Sequence, residues 1–413
     1  MTRTNVTPEE ALACIVQTIV PLESEIAALD DALDRVLTED IRAPCSLPPF
    51  ANAGMDGYAV RAADIAAAAR DAPARLRVLE SVSAGAAATQ AIAPGTAARI
   101  MTGAPLPPGA EVVVPLEETH ALEDGTVLVY QALPAGRHLR PAGEDIHVGE
   151  LAIAAGQVLR PQEIGLLAAL GYTEVAVVRR PRVAILSTGD ELLEAGQPLA
   201  PGKVRDSNAP ALAALVRRAG GVPLRLGIAR DTAADLHASL ERARAQHADL
   251  ILTSAGASGG DYDLIKTLLE NEGMLHFWLV DMKPGRPLLF GQLAGTPLVG
   301  LPGNPAAALI GAELFVRPAL LRMSGRTAIA RPTVCAVLEE AIMGGPRRHY
   351  VRGVVRRSAE GYRAAASRGS LGAGSLTGLV HANALLVVPA GTRSLPAGSE
   401  VEAIMLDWPE AVF

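Results

Sequence analysis

The sequence predicts an α/β multidomain protein: a doubly wound, mostly parallel sheet (179–328) with helices on both faces, a discontinuous helical entry domain (1–43 and 146–178), an inserted small β-domain (44–145) and a C-terminal β-barrel (329–413). Three observations predict it. Strand-like and helix-like runs alternate between Pro181 and Gly325, the pattern of a parallel sheet covered by helices. The flanking segments carry short β-rich runs punctuated by Pro and Gly instead. The length of 413 residues also exceeds the size at which one hydrophobic core keeps growing.

In chain order, residues 8–39 place apolar side chains at helical spacing (Leu12, Ile15, Val16, Ile19, then Ile26, Leu29, Leu33, Val36). Pro21 between them should end one helix and begin another. From Pro44 to about Ile146, the runs Leu76–Leu79, Ala98–Met101, Val112–Val114 and Val127–Val129 alternate with turns and predict the β-domain. A helical pattern returns at Gln162–Ala169, after Pro161. The strands Val183–Leu186, Leu224–Ile228, Leu250–Thr253 and Leu298–Leu301 then alternate with the helices Ala209–Ala219, Ala233–Ala245, Leu264–Asn271 and Ala306–Met323. Ser207 or Asn208 and Asp231 or Thr232 are the expected N-caps. Beyond Arg331, the runs Val334–Leu338, Tyr350–Val355, Leu385–Val388 and Glu400–Met405 predict the barrel.

Composition excludes several functions. Hydrophobic residues make up 49% and charged residues 20%, so a core can form. With five Phe, two Trp and six Tyr, a net charge of −7 and no basic run, nucleic acid is a poor partner. Cys14, Cys45 and Cys335 are far apart and form no Cys-x-x-Cys pair; they read as reduced, buried thiols in a reducing compartment. The N-terminus lacks a signal-like apolar region, and no uncharged apolar run reaches about 18 residues, so no membrane is expected and the location should be cytoplasmic. The histidines (His120, His138, His147, His237, His247, His276, His349, His381) show no zinc spacing.

Ligands of doubly wound sheets bind beyond the carboxyl ends of the strands. Three such loops are distinctive. Ser187-Thr188-Gly189-Asp190-Glu191-Leu192 sets two carboxylates at a strand end; residues 254–263, including Gly256, Ser258 and Asp263, form a glycine-rich loop with acidic residues; Pro302-Gly303-Asn304-Pro305 is a rigid turn into a helix. Glycine lets backbone N–H groups approach an anion, and a helix N-terminus adds about half a positive charge. Ordinary βα turns are the plain alternative for each loop. Lys283 and Arg286, on the stiff Met282–Pro287 segment, could bind phosphate or another oxyanion, or form a solvated turn. Asp56, Asp145 and Asp206 are acidic candidates; converging carboxylates can hold Mg²⁺ together with substrate phosphates.

The motifs Met55-Asp56-Gly57-Tyr58-Ala59-Val60, Ile100-Met101-Thr102-Gly103-Ala104-Pro105, Gly143-Glu144-Asp145-Ile146, Ser187 to Leu192, Met282-Lys283-Pro284-Gly285 and Pro302-Gly303-Asn304-Pro305 resemble, in this order, those of the MoeA family and the gephyrin E domain. The resemblance spans essentially the whole chain. It implies insertion of molybdenum from molybdate into adenylylated molybdopterin with release of AMP, by a homodimer whose cleft joins the α/β domain of one subunit to the inserted β-domain of the other. It further implies Mg²⁺ as cofactor, held by Asp56, Asp145 and Glu191, and a MogA-like molybdopterin adenylyltransferase as partner. Asp56, Asp145, Glu191, Asp206 and Asp263 would be catalytic. Thr102, Arg140, Ser187, Gly256, Ser258, Lys283, Arg286, Pro302, Pro305, Arg352 and Ser370 would bind substrate.

The chain departs from the commoner pattern at Ala51, Ala53, Ala255, Ala257, Gly259, Arg286 and Ala306-Ala307. These changes bear on substrate affinity and on molybdate against tungstate, and leave the acidic set intact. A non-catalytic molybdopterin-binding or scaffolding relative is the alternative from another class. An adenylyltransferase of the MogA type would need only the α/β domain and leaves the roughly 180 preceding residues, more than a typical extra domain, without a role.

Overall fold

The computed structural model describes residues 4–254, 264–369 and 372–408. The chain divides into two compact units, one of residues 1–26, 34–36 and 176–413 and the other of residues 27–33 and 37–175.

The larger unit is built on a six-stranded sheet in the order Val222–Ala229, Arg182–Thr188, Leu250–Ser254, Thr296–Leu301, Pro287–Leu293, Gly273–Leu279. The first four strands are mutually parallel, as the alternation predicts. Pro287–Leu293 runs antiparallel to both its neighbours, and it and Gly273–Leu279 were not expected from the sequence. Alternate side chains of Arg182–Thr188 serve opposite faces, because a strand repeats every two residues. Val183 and Ile185 pack with Ile15 of α1 (Pro8–Thr18), Leu212 and Val216 of α3 (Asn208–Arg218), and Phe277, Phe290, Phe315 and Leu320. Ala184 and Leu186 pack with Leu236 and Leu240 of α4 (Ala233–Ala245) and Leu268 and Leu269 of α5 (Leu264–Glu272). Each fully buried side chain of this size contributes about 1.5–3 kcal/mol.

The helix expected over Ala306–Met323 is interrupted. α6 (Pro305–Gly311) and α7 (Arg317–Met323) flank a wider π turn at Ala312–Val316. Pro318 in the first turn of α7 lacks an N–H, so the ladder cannot continue unchanged through it. The second helix expected before residue 39 is also absent: Ser24–Ala28 is extended in a two-stranded sheet and a 3-10 turn follows at Leu29–Asp31. Sheet pairing there overrides the helical spacing of Ile26, Leu29 and Leu33.

The strands Thr333–Leu338, Arg348–Ser358, Gly361–Ala366, Ala384–Val388 and Glu400–Met405 close into a five-stranded barrel, since Arg348–Ser358 pairs with both Gly361–Ala366 and Ala384–Val388. Val351, Val355, Leu386, Val388 and Val401 fill its interior. Cys335 lies on the outward face of its strand and is exposed, while Cys14 and Cys45 are half-buried, so the expectation of three buried thiols fails.

The smaller unit holds a six-stranded sheet in the order Val112–Pro115, Gly57–Val60, Thr96–Ile100, Ala74–Val82, Thr126–Val129, Thr119–Ala121. Tyr58, Val60, Val112 and Val114 fill one face, and Ala59, Ala98, Ile100 and Val113 the other. It also contains α2 (Pro161–Ala169), as expected from the sequence.

Candidate functional site

In the larger unit, a cavity of about 580 Å³ opens at the carboxyl edge of the sheet. Glu191, Arg205, Asp206, Asn208, Ser254, Asn304 and Pro305 are among its lining residues. The volume lies within the range of small-molecule sites. Local pairing explains the arrangement. The short strands Leu192–Leu193 and Val204–Arg205 pair, with the Val204 N–H donating to the Glu191 carbonyl and the Asp206 N–H to the Leu193 carbonyl. This brings exposed Glu191 and buried Asp206 into one wall. Gly189 precedes them at φ +147, and a Cβ there would meet the Glu191 carboxylate at 2.4 Å, so glycine leaves that carboxylate its room.

Asp206 is 4% exposed and accepts three hydrogen bonds. Its Oδ1 accepts from the N–H groups of Asn208 (2.9 Å) and Ala209 (3.0 Å), and its Oδ2 from Ser187 Oγ (2.7 Å). Asp206, rather than Ser207 or Asn208, therefore caps α3. Asn208 Nδ2 donates to the Gly303 carbonyl at 2.8 Å, tying α3 to the Pro302–Pro305 turn. Its Oδ1 is buried without a hydrogen-bond partner. Ser254, buried beneath the cavity, lies 3.2 Å from Ser187 across the register pair Ser187↔Ser254. Nothing in the sequence of that loop sets Ser254 apart from the rest of residues 254–263. The available signal is a serine near the carboxyl end of each of two neighbouring strands.

The first N–H groups of α6, after the Pro302–Pro305 turn, are not open to an anion. The N–H groups of Ala306 and Ala307 both point to the Ala373 carbonyl, at 3.0 and 3.3 Å, and Pro305 has no N–H. The expectation that this helix start would cradle an oxyanion is corrected accordingly: a carbonyl of the same chain already occupies it. Arg352 holds that loop in place. It is 3% exposed, and its guanidinium donates to the carbonyls of Ser375 (2.7 Å) and Gly372 (3.2 Å). Burial pushes its pKa down, since no carboxylate is among the causes. Arg352 is thus a buried pin for the loop that carries Gly372 and Ser375.

Lys283 and Arg286 are exposed and do not line the cavity. Among the described residues neither has a carboxylate partner. Gly285, at φ +93, packs near Pro302 Cγ and the Ala307 carbonyl, which sets the cationic segment beside the Pro302 turn. Lys283 is paired in register with His349, and burial followed by the Lys283 charge holds His349 below the usual histidine range. That imidazole is neutral near pH 7.

In the smaller unit, Gly57↔Ile100 pairing brings together Asp56, just before one strand, and Thr102, just after the next. Asp56 Oδ1 accepts from both the N–H and the Oγ1 of Thr102, and these bonds hold the exposed carboxyl below its ordinary range. The strand Asn52–Ala53 links the rest: Gly103 donates to the Ala53 carbonyl, and Arg140 is the register partner of Asn52. Thr102 and Arg140 are thus both tied, through their neighbours, to the short strand that precedes Asp56. Asp145 is anchored separately, its N–H donating to the Leu47 carbonyl, and among the described residues no hydrogen bond joins it to Asp56. Gly256, Ser258, Asp263 and Ser370 lie outside the described residues. Among the described residues no three Asp, Glu, His or Cys side chains converge as a metal site, and no helix is long and apolar enough to cross a membrane.

Comparison with known proteins accounts for this arrangement. Residues 6–171 match the MoeA N-terminal region (domain I and II), residues 184–322 a probable molybdopterin binding domain, and residues 336–406 the MoeA C-terminal region (domain IV). Together these define a class of multidomain proteins built around a molybdopterin-type α/β domain. Within it, the chain is 41% identical to molybdopterin molybdenumtransferase 2 of Mycobacterium tuberculosis, over 91% of this chain and 93% of that one. It is 35% identical to the molybdopterin molybdenumtransferase of Bacillus subtilis, over 99% and 97%. A crystal structure of a molybdopterin biosynthesis MoeA protein from Pyrococcus horikosii superposes with a TM-score of 0.83 at 33% identity, covering 98% of this chain and all of that one. The chain belongs to the MoeA family of molybdopterin molybdenumtransferases.

Proposed function

We propose that the chain is a transferase of molybdenum cofactor biosynthesis that inserts molybdenum from molybdate into adenylylated molybdopterin with release of AMP. The observation that carries this reading is the 41% identity to a molybdopterin molybdenumtransferase over nearly the full length of both chains. The test is AMP release from adenylylated molybdopterin on addition of molybdate, with restoration of molybdoenzyme activity in a strain lacking the transferase. A scaffold that only binds molybdopterin would fail both.

The roles of individual residues are our assignment. Asp56, kept ionised by Thr102, and Glu191, exposed on the cavity wall, are the carboxylates free to act on substrate. Asp206 shapes the cavity, its lone pairs being largely engaged. Lys283 and Arg286 suit an oxyanion, molybdate or phosphate, as exposed cations with no carboxylate partner among the described residues. Asp56→Asn and Glu191→Gln should each abolish AMP release. Unchanged turnover in both would reject these roles.

Mg²⁺ suits these hard oxygen donors: it would arrive with substrate phosphates and take one or two carboxylates from Asp56, Asp145 or Glu191. When bound, Mg²⁺ would neutralise phosphate charge and polarise the scissile bond. We further propose a homodimer in the cytoplasm supplied by a MogA-like adenylyltransferase. Solution mass by light scattering and capture of the adenylyltransferase test these assignments.

A further inference from the structure

The strand Met282–Lys283 runs parallel to the start of Arg348–Ser358, and Lys283 stands opposite His349. Neighbouring strands lie about 4.8 Å apart, and register partners project from the same face of a sheet. On its other side His349 has Val388 as register partner, which is apolar and buried. The imidazole is half-buried. Its Nδ1 lies 3.2 Å from the Met343 carbonyl, an acceptor, so the ring proton sits on Nδ1 and the lone pair on Nε2. Among the described residues Nε2 has no hydrogen-bond partner. The charges that act on the ring are those of Lys283 and Arg352, both cationic, while the adjacent Arg347 and Arg348 are paired with Asp281 and Glu9. Burial first and Lys283 next hold the imidazole below the ordinary histidine range, so Nε2 stays bare near pH 7.

A dianion held by Lys283 turns the local charge from positive to negative. From this juxtaposition we infer that His349 is a proton-dependent member of the oxyanion site at Lys283: neutral in the free chain, it takes a proton on Nε2 as the anion binds and then holds the anion through its charge. This rests on the proposed function, which places an oxyanion on Lys283 and Arg286. His349 makes and breaks no bond of the reaction; its part is to tie anion capture to a proton. Linkage is reciprocal, so an anion that raises the affinity of the ring for a proton is itself bound more tightly, by the same factor, once the proton is there. Affinity therefore climbs as pH falls from the titration point of the anion-bound ring to that of the free ring, by up to about tenfold per pH unit, and is flat outside that window.

Molybdate and sulfate are the probes, since neither titrates between about pH 6 and about pH 8, where histidine does. Titration calorimetry of the full chain, run in two buffers of different ionisation heat, counts the protons taken up with each anion. Wild type should take up protons and bind more tightly as pH falls. His349→Gln keeps an N–H for the Met343 carbonyl and cannot titrate, so its uptake should vanish and its affinity should stay flat across the range. Ring-nitrogen NMR needs no folded variant beyond the one that identifies the His349 signal by its loss. It should show the wild-type ring titrating at higher pH with the anion than without it, and Lys283→Met should raise the free-chain value. Uptake that persists in His349→Gln, or a His349 signal indifferent to the anion or to Lys283, overturns the inference while AMP release stays intact. So does a chain that releases AMP yet binds neither anion. A chain that binds neither anion and releases no AMP removes the proposed function as well.

Discussion

Thr102 donates twice to a single oxygen of Asp56: its backbone N and its Oγ1 each lie 2.7 Å from Oδ1. The other carboxylate oxygen is left for a ligand. Because the bonds favour the charged form, the folded-state pKa is lowered, by the backbone bond first and the hydroxyl second. Their contribution is present above the ordinary aspartate value and is lost as pH falls through the folded value. Thr102→Val keeps the backbone bond and removes the other, so the Asp56 pKa should rise part of the way back. Carboxyl ¹³C titration by NMR measures it, and the acid limb of activity should move up in pH with it.

Arg352 joins the barrel to the start of α6 through the loop it pins. Arg352→Met should cost about 2–3 kcal/mol, two charge-assisted hydrogen bonds being lost. Amide exchange at Ala306 and Ala307 should accelerate at the same time. Arg352→Lys should rescue little, since an ammonium cannot span two carbonyls as the planar fork does. Urea midpoints that match the wild type would refute the pinning role.

Gly57 lies between Asp56 and the core strand, and a Cβ at this position would sit 2.0 Å from the Val114 carbonyl oxygen. Backbone cannot yield as a side chain can, so Gly57→Ala should destabilise the smaller unit by about 3 kcal/mol or more. It should also displace Asp56 and reduce AMP release. A denaturation curve unchanged from wild type would contradict this.

Glu163 of α2 accepts from the Arg160 guanidinium and backbone N–H, and the guanidinium bond is the main cause lowering its pKa from 4.5 to about 2. Stability from this pair is complete above pH 4.5 and disappears as pH falls towards 2. In Glu163→Gln that part of the acid dependence should be missing. Urea midpoints at several pH values across the window compare the two.

Much of this is legible in the sequence. Helix and parallel-strand positions followed from apolar spacing, and the loops after the Arg182–Thr188 and Thr296–Leu301 strands border the cavity as expected. What was missed depends on partners distant in sequence. Pro287–Leu293 was read only for the cations before it, because an antiparallel strand buried between two neighbours has no alternating signature. Nothing local marks Ala373 as the cap of α6 or Arg352 as its support. Asp206 was recognisable as a special acid, but its capping bonds and the hydroxyl of Ser187 give it a positioning task that residue type alone does not disclose.

The C-terminal barrel is completed by Glu400–Met405, which bridges Thr333–Leu338 and Ala384–Val388. Truncation upstream of residue 400 would bare two unpaired strand borders at once. Such borders template pairing with other copies, so a shortened chain should precipitate or form ladders rather than behave as a smaller version of the same protein.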